Sequence, residues 1–244
     1  MTSLKPLASQ TECGVCGRPL IYAEESVVLR CELCGRQEPA LIRCPVGHYV
    51  CDACHGMAAL EVLAEVVATP RSADPAMILE RVMAHPAVPM HGPEHHAIVP
   101  ASIVVAAANA GAAVPGDALE KVLERARKVP GGWCGFYGAC GAAIGVGIAV
   151  SVLTAATPVK GKERSLALAA TSFALSRMVD DQPRCCKRAS RVAIEAAVEF
   201  LSERLGIRLD SPTETRCSYS LRNAQCARLE CRFFDAVAFA RLLE

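Results

Sequence analysis

Net charge is almost absent from this chain. Twenty-six Lys and Arg stand against twenty-five Asp and Glu, leaving +1 over 244 residues. No overall field therefore draws the protein onto phosphates, and nothing supports a nucleic-acid partner. The opening Met-Thr-Ser-Leu-Lys-Pro-Leu-Ala-Ser-Gln lacks the charged start and apolar core of an export signal, so a cytoplasmic protein with reduced thiols is expected. Glycine-rich stretches carry no following Gly-Lys-Ser/Thr and no strand and ribose carboxylate frame them, which excludes a phosphate loop and a dinucleotide fingerprint. Strand patterns are nearly missing after residue 56. Although 52% of residues are apolar and mean hydropathy is +0.27, good membrane spans are lacking too. Phe136 to Val159 carries no charge and has the length to span, but it is rich in Gly and Ala, which suits close helix packing in a protein core. Ala97 to Gly116 is broken by Pro100, Asn109 and Pro115. A buried helix and no membrane association are expected.

What the chain has is cysteine: fourteen, seven of them before residue 55. Cys13-x2-Cys16 and Cys31-x2-Cys34 are each followed by glycine, so each pair can wrap a metal with the backbone turning tightly behind it. Leu20-Ile-Tyr and Val27-Val-Leu-Arg lie between the pairs and can form the short hairpin of a zinc ribbon. Cys13, Cys16, Cys31 and Cys34 then make one four-thiolate site, which iron in a rubredoxin-like geometry would use equally. Cys44-Pro-Val-Gly-His48-Tyr-Val-Cys51-Asp-Ala-Cys54-His55 supplies a second tetrahedral set from Cys44, His48, Cys51 and Cys54, with His55 able to replace His48. The pairs can also interleave, each metal taking alternate pairs. Cys51 to His55 matches a C-x-x-C-H haem attachment motif, but that chemistry needs export, and the flanking Cys44 and His48 suit zinc. Two structural zinc ions, each worth on the order of 10 kcal/mol of folding free energy, are expected to hold a module over residues 1–56.

From residue 57 to 244 the apolar period turns helical. Leu60, Leu63, Ala64 and Val67 form one stripe, Asp74-Pro75 is a cap and first-turn proline, and Asp117 is expected to cap a helix through Leu119, Val122, Leu123 and Ala126. Further helices are expected over about 101–112, 139–156, 163–178, 189–205 and 232–243. The fold class expected is mainly α: a zinc-ribbon or treble-clef-like module, then an all-α cysteine-rich domain.

Unusual residues gather between those helices. His85-Pro-Ala-Val-Pro-Met-His91-Gly-Pro-Glu-His95-His96 holds four of the six histidines in what reads as a rigid loop. Cys134 lies in a glycine-rich stretch, and Cys140 stands at the start of a helix, where free N–H groups favour a thiolate. Glycines 141, 145 and 147 admit a neighbouring helix or an inorganic cluster. Cys185 and Cys186 sit beside Arg184, Lys187 and Arg188, which should lower their pKa values. Cys217, Cys226 and Cys231 follow near the end. Seven late thiols without one C-x-x-C pair fit an iron–sulfur cluster, whose ligands come from separated segments. Cys217, Cys226 and Cys231 with Cys185 or Cys186 make one four-ligand set, and Cys134 and Cys140 could supply two of the four instead.

At these residues the chain resembles the redox-active family named for its C-GCAxxG-C-C motif, through Cys134, Gly138-Ala-Cys140-Gly-Ala-Ala-Ile-Gly145, Cys185 or Cys186, and a late cysteine. Ala139 and Gly141 depart from that motif. From CPxGHYVCDxCH through MHGPEHH and GACGAAIG to the final CSYS, roughly residues 44 to 235, it resembles an uncharacterised domain family encoded beside or fused to radical-SAM proteins and methyltransferases. The resemblance implies anaerobic iron–sulfur, sulfur or selenium biochemistry. The expectation is a protein with two zinc sites and a 4Fe-4S cluster, in which Cys134, Cys186, Cys217, Cys226 and Cys231 serve the cofactor. Cys140, Cys185, His95 and His96 would act on a small-molecule substrate, in redox, sulfur-transfer or desulfidase-like chemistry. The alternative is a non-catalytic zinc-ribbon adaptor that docks on a radical-SAM or methyltransferase partner.

Overall fold

The computed structural model describes residues 13, 16, 18–51, 59–68, 72–211 and 214–241. Two antiparallel strands, β1 (Ile21–Arg30) and β2 (Gln37–Arg43), form the only sheet among them. Arg30 pairs with Gln37 beside the turn and Ile21 with Arg43 at the open end, with an irregularity between Tyr22 and Val27. The turn is the second cysteine knuckle itself. Gly35 takes φ +73 there and returns its N–H to the Cys31 carbonyl at 3.0 Å, a conformation that glycine adopts without a Cβ clash. Both apolar stretches expected to pair with each other thus lie in β1, and their partner is the segment after Cys34. The hairpin straddles the second knuckle because its apolar stretch, Ala40-Leu-Ile, follows the knuckle.

The rest is helical: α1 (Ala59–Ala68), α2 (Pro75–Ala84), α3 (Glu94–Asn109), α4 (Ala118–Ala126), α5 (Trp133–Phe136), α6 (Gly141–Leu153), α7 (Gly161–Ser176), α8 (Cys186–Leu205) and α9 (Ala236–Arg241). Asp74 caps α2 by accepting the N–H groups of Ala76 and Met77 at 2.8 and 3.2 Å, and Pro75 fills the first helical position. Asp117 makes no such cap bond and pairs with Lys121 instead. Gly206, at φ +69, ends α8.

Helix α3 is apolar around its whole circumference, buried from His95 to Val104, and it is the axis of the domain. It lies against α1, α2, α4, α6 and α8, while α6 also meets α4, α7 and α8. Close approach is set by small residues. A Cβ on Gly145 would lie 2.8 Å from Pro100 Cδ of α3, and one on Gly147 would lie 2.9 Å from the Ala167 carbonyl of α7. These two glycines serve helix packing, because the atoms that crowd them belong to α3 and α7.

Helix α3 begins seven residues before the expected 101, because Pro93 and Glu94 supply the start signals that proline and an acidic first turn give. His95 and His96 therefore sit in a helix and not in a loop. Phe136 to Val159 is divided between α5, a turn and the thirteen residues of α6. Among the described residues, no helix is long and apolar enough to cross a membrane. The hairpin module touches the helices through Arg81 Nη2, which donates to the Leu33 carbonyl at 2.7 Å, and through Arg18 Nη2, which donates to the Arg241 carbonyl at 3.0 Å.

Candidate metal and thiol centres

The first two knuckles have one backbone hydrogen bond in common. Cys13 N–H donates to Arg18 O at 2.7 Å and Cys31 N–H to Arg36 O at 2.8 Å, the same offset in each. Their sulfurs do not meet each other. Cys13, Cys16, Cys44 and His48 gather in one group and Cys31, Cys34 and Cys51 in a second, with each group's ligand atoms within 4.8 Å of one another. The contiguous set of Cys13, Cys16, Cys31 and Cys34 is thus replaced by the interleaved one. Strand order explains this: β1 leads from the first knuckle to the second, and β2 leads back to Cys44 beside the first. Cys54, like His55, lies outside the described residues.

Sulfur spacing fits a single tetrahedral ion. With Zn–S near 2.3 Å, thiolates stand about 3.8 Å apart. Cys16 and Cys44 are separated by 3.5 Å, Cys34 and Cys51 by 3.7 Å, and His48 Nδ1 is 3.7 Å from Cys44 and 3.9 Å from Cys13. Hydrogen bonding to Cys13 and burial push the Cys16 thiol strongly up, whereas burial at Cys31 is outweighed by N–H groups from Cys34, Cys51 and Leu33, which bring it down to about 7. Crowded thiols of this kind discharge their protons on taking a cation. Both groups are compatible with metal, and their donor chemistry suits zinc.

The late thiols divide around two adjoining cavities. Cys134, Cys140 and Cys186 face a chamber of about 530 Å3, together with His91, His95 and His96. Cys217, Cys226 and Cys231 face a much tighter void with Met90, Tyr219 and Phe234. Cys185 and Arg188 line both. The seven sulfurs are neither scattered nor one set. No three of them come within single-ion distance, because the only groups so spaced among the described residues are the two N-terminal ones.

Burial reverses the expected acidity of Cys140, Cys185 and Cys186. It pushes each thiol up, and the N–H groups of Ala142 and Ala143 on Cys140, Arg188 on Cys185 and Gly92 on Cys186 offset it only in part. The nearby cations act weakly since Arg184 is exposed and Arg188 is tied to Asp180 at 3.0 Å. Lys187 is turned inward, with its Nζ donating to Met83 O at 3.0 Å, and burial brings its pKa down to about 7.

Both histidines of α3 have an assigned tautomer. His95 Nδ1–H donates to Gly92 O at 3.1 Å and His96 Nδ1–H to Val129 O at 3.0 Å, which leaves each Nε2 with a lone pair. Their surroundings differ. His96 packs its ring against Gly141, where a Cβ would run into the imidazole. His95 is 1% exposed and its Nε2 has no hydrogen-bond partner. Burial, aided by Lys187, holds its pKa down to about 3. His91 Nε2 reaches Asn223 Oδ1 at 3.2 Å and so ties the chamber to the segment carrying the last three cysteines.

The residue the sequence did not single out is Arg191. Only 3% exposed, it grips Glu80 of α2 with bonds of 2.6 and 2.9 Å and also reaches Cys217. Its one local signal is a charged residue on the apolar face of α8.

Residues 63–234 match a family of unknown function, DUF5714. The chain belongs to that family. The DUF5714 match takes in the four histidines between 85 and 96 and all seven late cysteines, and it leaves the N-terminal metal groups and the CPxGHYVCDxCH stretch outside. No curated protein and no solved structure matches the chain.

Proposed function

We propose that this protein is an iron–sulfur redox or sulfur-transfer protein in which two zinc ions hold the N-terminal module and the helical domain works on a small molecule in the chamber. The observation that carries the reading is the adjoining pair of cavities, joined at Cys185, with thiols on both. A volume of about 530 Å3 suits a small organic ligand. A cluster in the domain would supply electrons or an iron site. Cys140 and Cys186 present thiols to the chamber, Cys134 stands at its exposed edge, and His95 keeps an Nε2 lone pair able to take a proton. His96 holds the start of α6 in place through its contact with Gly141. Purification without oxygen, followed by iron, acid-labile sulfide and zinc analysis, tests the reading. Iron with equivalent sulfide beside about two zinc per chain is expected; zinc with neither iron nor sulfide would remove it.

The adaptor alternative draws on one observation. The hairpin module leaves Ile21, Val28 and Leu41 exposed on one face of its sheet, apolar side chains of the kind that partner proteins cover. A radical-SAM or methyltransferase partner would dock there, and the zinc groups would stiffen the surface. Substituting Val28 and Leu41 by Ser should abolish co-purification of such a partner while leaving zinc content unchanged.

A further inference from the structure

The sulfurs around the tight void do not form a one-ion site, since no three of them come within single-ion distance of one another. The centre of a water-sized sphere can move through about 20 Å3 of it, equivalent to an empty sphere of roughly 3 Å radius. Four thiolates on a zinc ion would leave no such space, since each sulfur would stand about 2.3 Å from the centre. Cys185, Cys217, Cys226 and Cys231 border it, three of them from one short segment and the fourth from the N-cap of α8.

Three of these sulfurs each accept a backbone N–H at 3.4 Å: Cys185 from Arg188, Cys217 from Tyr219 and Cys226 from Arg228. Such bonds stabilise sulfur that carries negative charge, as cluster thiolates do. Arg228 adopts φ +50 where it donates, a left-handed conformation that a residue with a Cβ adopts only at a cost in free energy. Arg188 and Arg191 also line the void, each paired with a carboxylate, Asp180 and Glu80, and Arg191 reaches the Cys217 sulfur as well. Met90, Tyr219 and Phe234 supply apolar wall, beside Ser220 and Asn223. The segment is closed on itself by Cys217 N–H donating to Phe233 O at 2.7 Å and Phe234 N–H to Cys231 O at 2.9 Å.

We propose that Cys185, Cys217, Cys226 and Cys231 together ligate one cubane iron–sulfur cluster in this void, and that Cys134, Cys140 and Cys186 are not cluster ligands but thiols open to the chamber's small molecule. The proposal rests on the iron–sulfur reading above and assigns its ligands. It also gives the adjacent pair separate duties: Cys185 faces the cluster, and Cys186, the first residue of α8, faces the chamber.

The test uses the full chain, reconstituted anaerobically with ferrous iron and sulfide. Cys217→Ala and Cys226→Ala should each lower bound iron and sulfide at least fivefold, while Cys134→Ser, Cys140→Ser and Cys186→Ser each keep four-fifths or more. Retained helical circular dichroism in every variant separates ligand loss from misfolding. Independently of any variant, iodoacetamide followed by peptide mass spectrometry should modify Cys134, Cys140 and Cys186 in the loaded protein. Cys185, Cys217, Cys226 and Cys231 should become reactive only after iron is stripped. Iron that survives Cys217→Ala and Cys226→Ala but is lost from the chamber variants would overturn the assignment and leave the iron–sulfur reading standing. Reconstituted protein holding no sulfide at all would overturn both.

Discussion

The hairpin module and the helical domain use cysteine in opposite ways. In the module the sulfurs are the core: Cys13, Cys16, Cys31, Cys44 and Cys51 are buried with little else but Leu33 and Val50 beside them, and they fall into two groups, each at the spacing of a single ion. In the helical domain, the core is Leu79, Ile98, Ile103, Val146, Ile194 and their neighbours, and the sulfurs border cavities at its edge. A fragment this small buries too little apolar surface to hold itself together. The larger domain buries a largely aliphatic core with no cysteine among its buried members. Position in the fold, more than residue type, decides whether a thiol forms the core or borders a cavity.

Removing metal is the strongest way to break that comparison. Stripping zinc with a chelator, or Cys44→Ser, should cost the module on the order of 10 kcal/mol per site; limited proteolysis would then cut within residues 18–51 while helical circular dichroism persists. Gly147→Val reverses the arrangement, driving a side chain into Thr171 and toward the Ala167 carbonyl. Overpacking of that kind should cost about 3 kcal/mol and lower the urea midpoint of the helical domain with zinc content unchanged. A smaller effect comes from pH. His95 has its pKa held down from 6.5 to about 3, so below pH 6.5 the unfolded chain binds a proton that the folded chain refuses. Stability should fall as pH drops through that window by ~1.4 kcal/mol per unit, and His95→Gln should flatten the urea midpoint between pH 6.5 and 4.5. Smallest of all, Arg81→Ala removes the bond to the Leu33 carbonyl; a loss of about 1 kcal/mol should appear as faster hydrogen exchange in the knuckle at residues 31–35 alone.

Local signals carried far in this sequence. C-x-x-C followed by glycine marks both knuckles, Asp74-Pro75 marks the start of α2, and the small residues of α6 mark a buried helix. Partner choice was less legible. Which knuckle joins which depends on where the hairpin turns, and both candidate strands at 20–30 look self-complementary until Ala40-Leu-Ile competes for pairing. The split of the late thiols was out of reach for a similar reason. Cys185 and Cys186 are adjacent in sequence, and only the N-cap geometry of α8 puts Cys185 on the border of both cavities and Cys186 on the chamber alone. Burial was equally hidden: Arg184, Lys187 and Arg188 look like a field that would acidify the thiols, yet one points out, one points in and one is paired.

X-ray absorption at the iron edge of the loaded full chain addresses the nuclearity of the late site directly. The account predicts an iron environment of sulfur alone, with a second-shell iron scatterer at the short distance of a cubane and about four iron per chain. A spectrum of isolated tetrahedral iron with no iron neighbour would contradict it, as would the appearance of histidine nitrogen in the first coordination sphere.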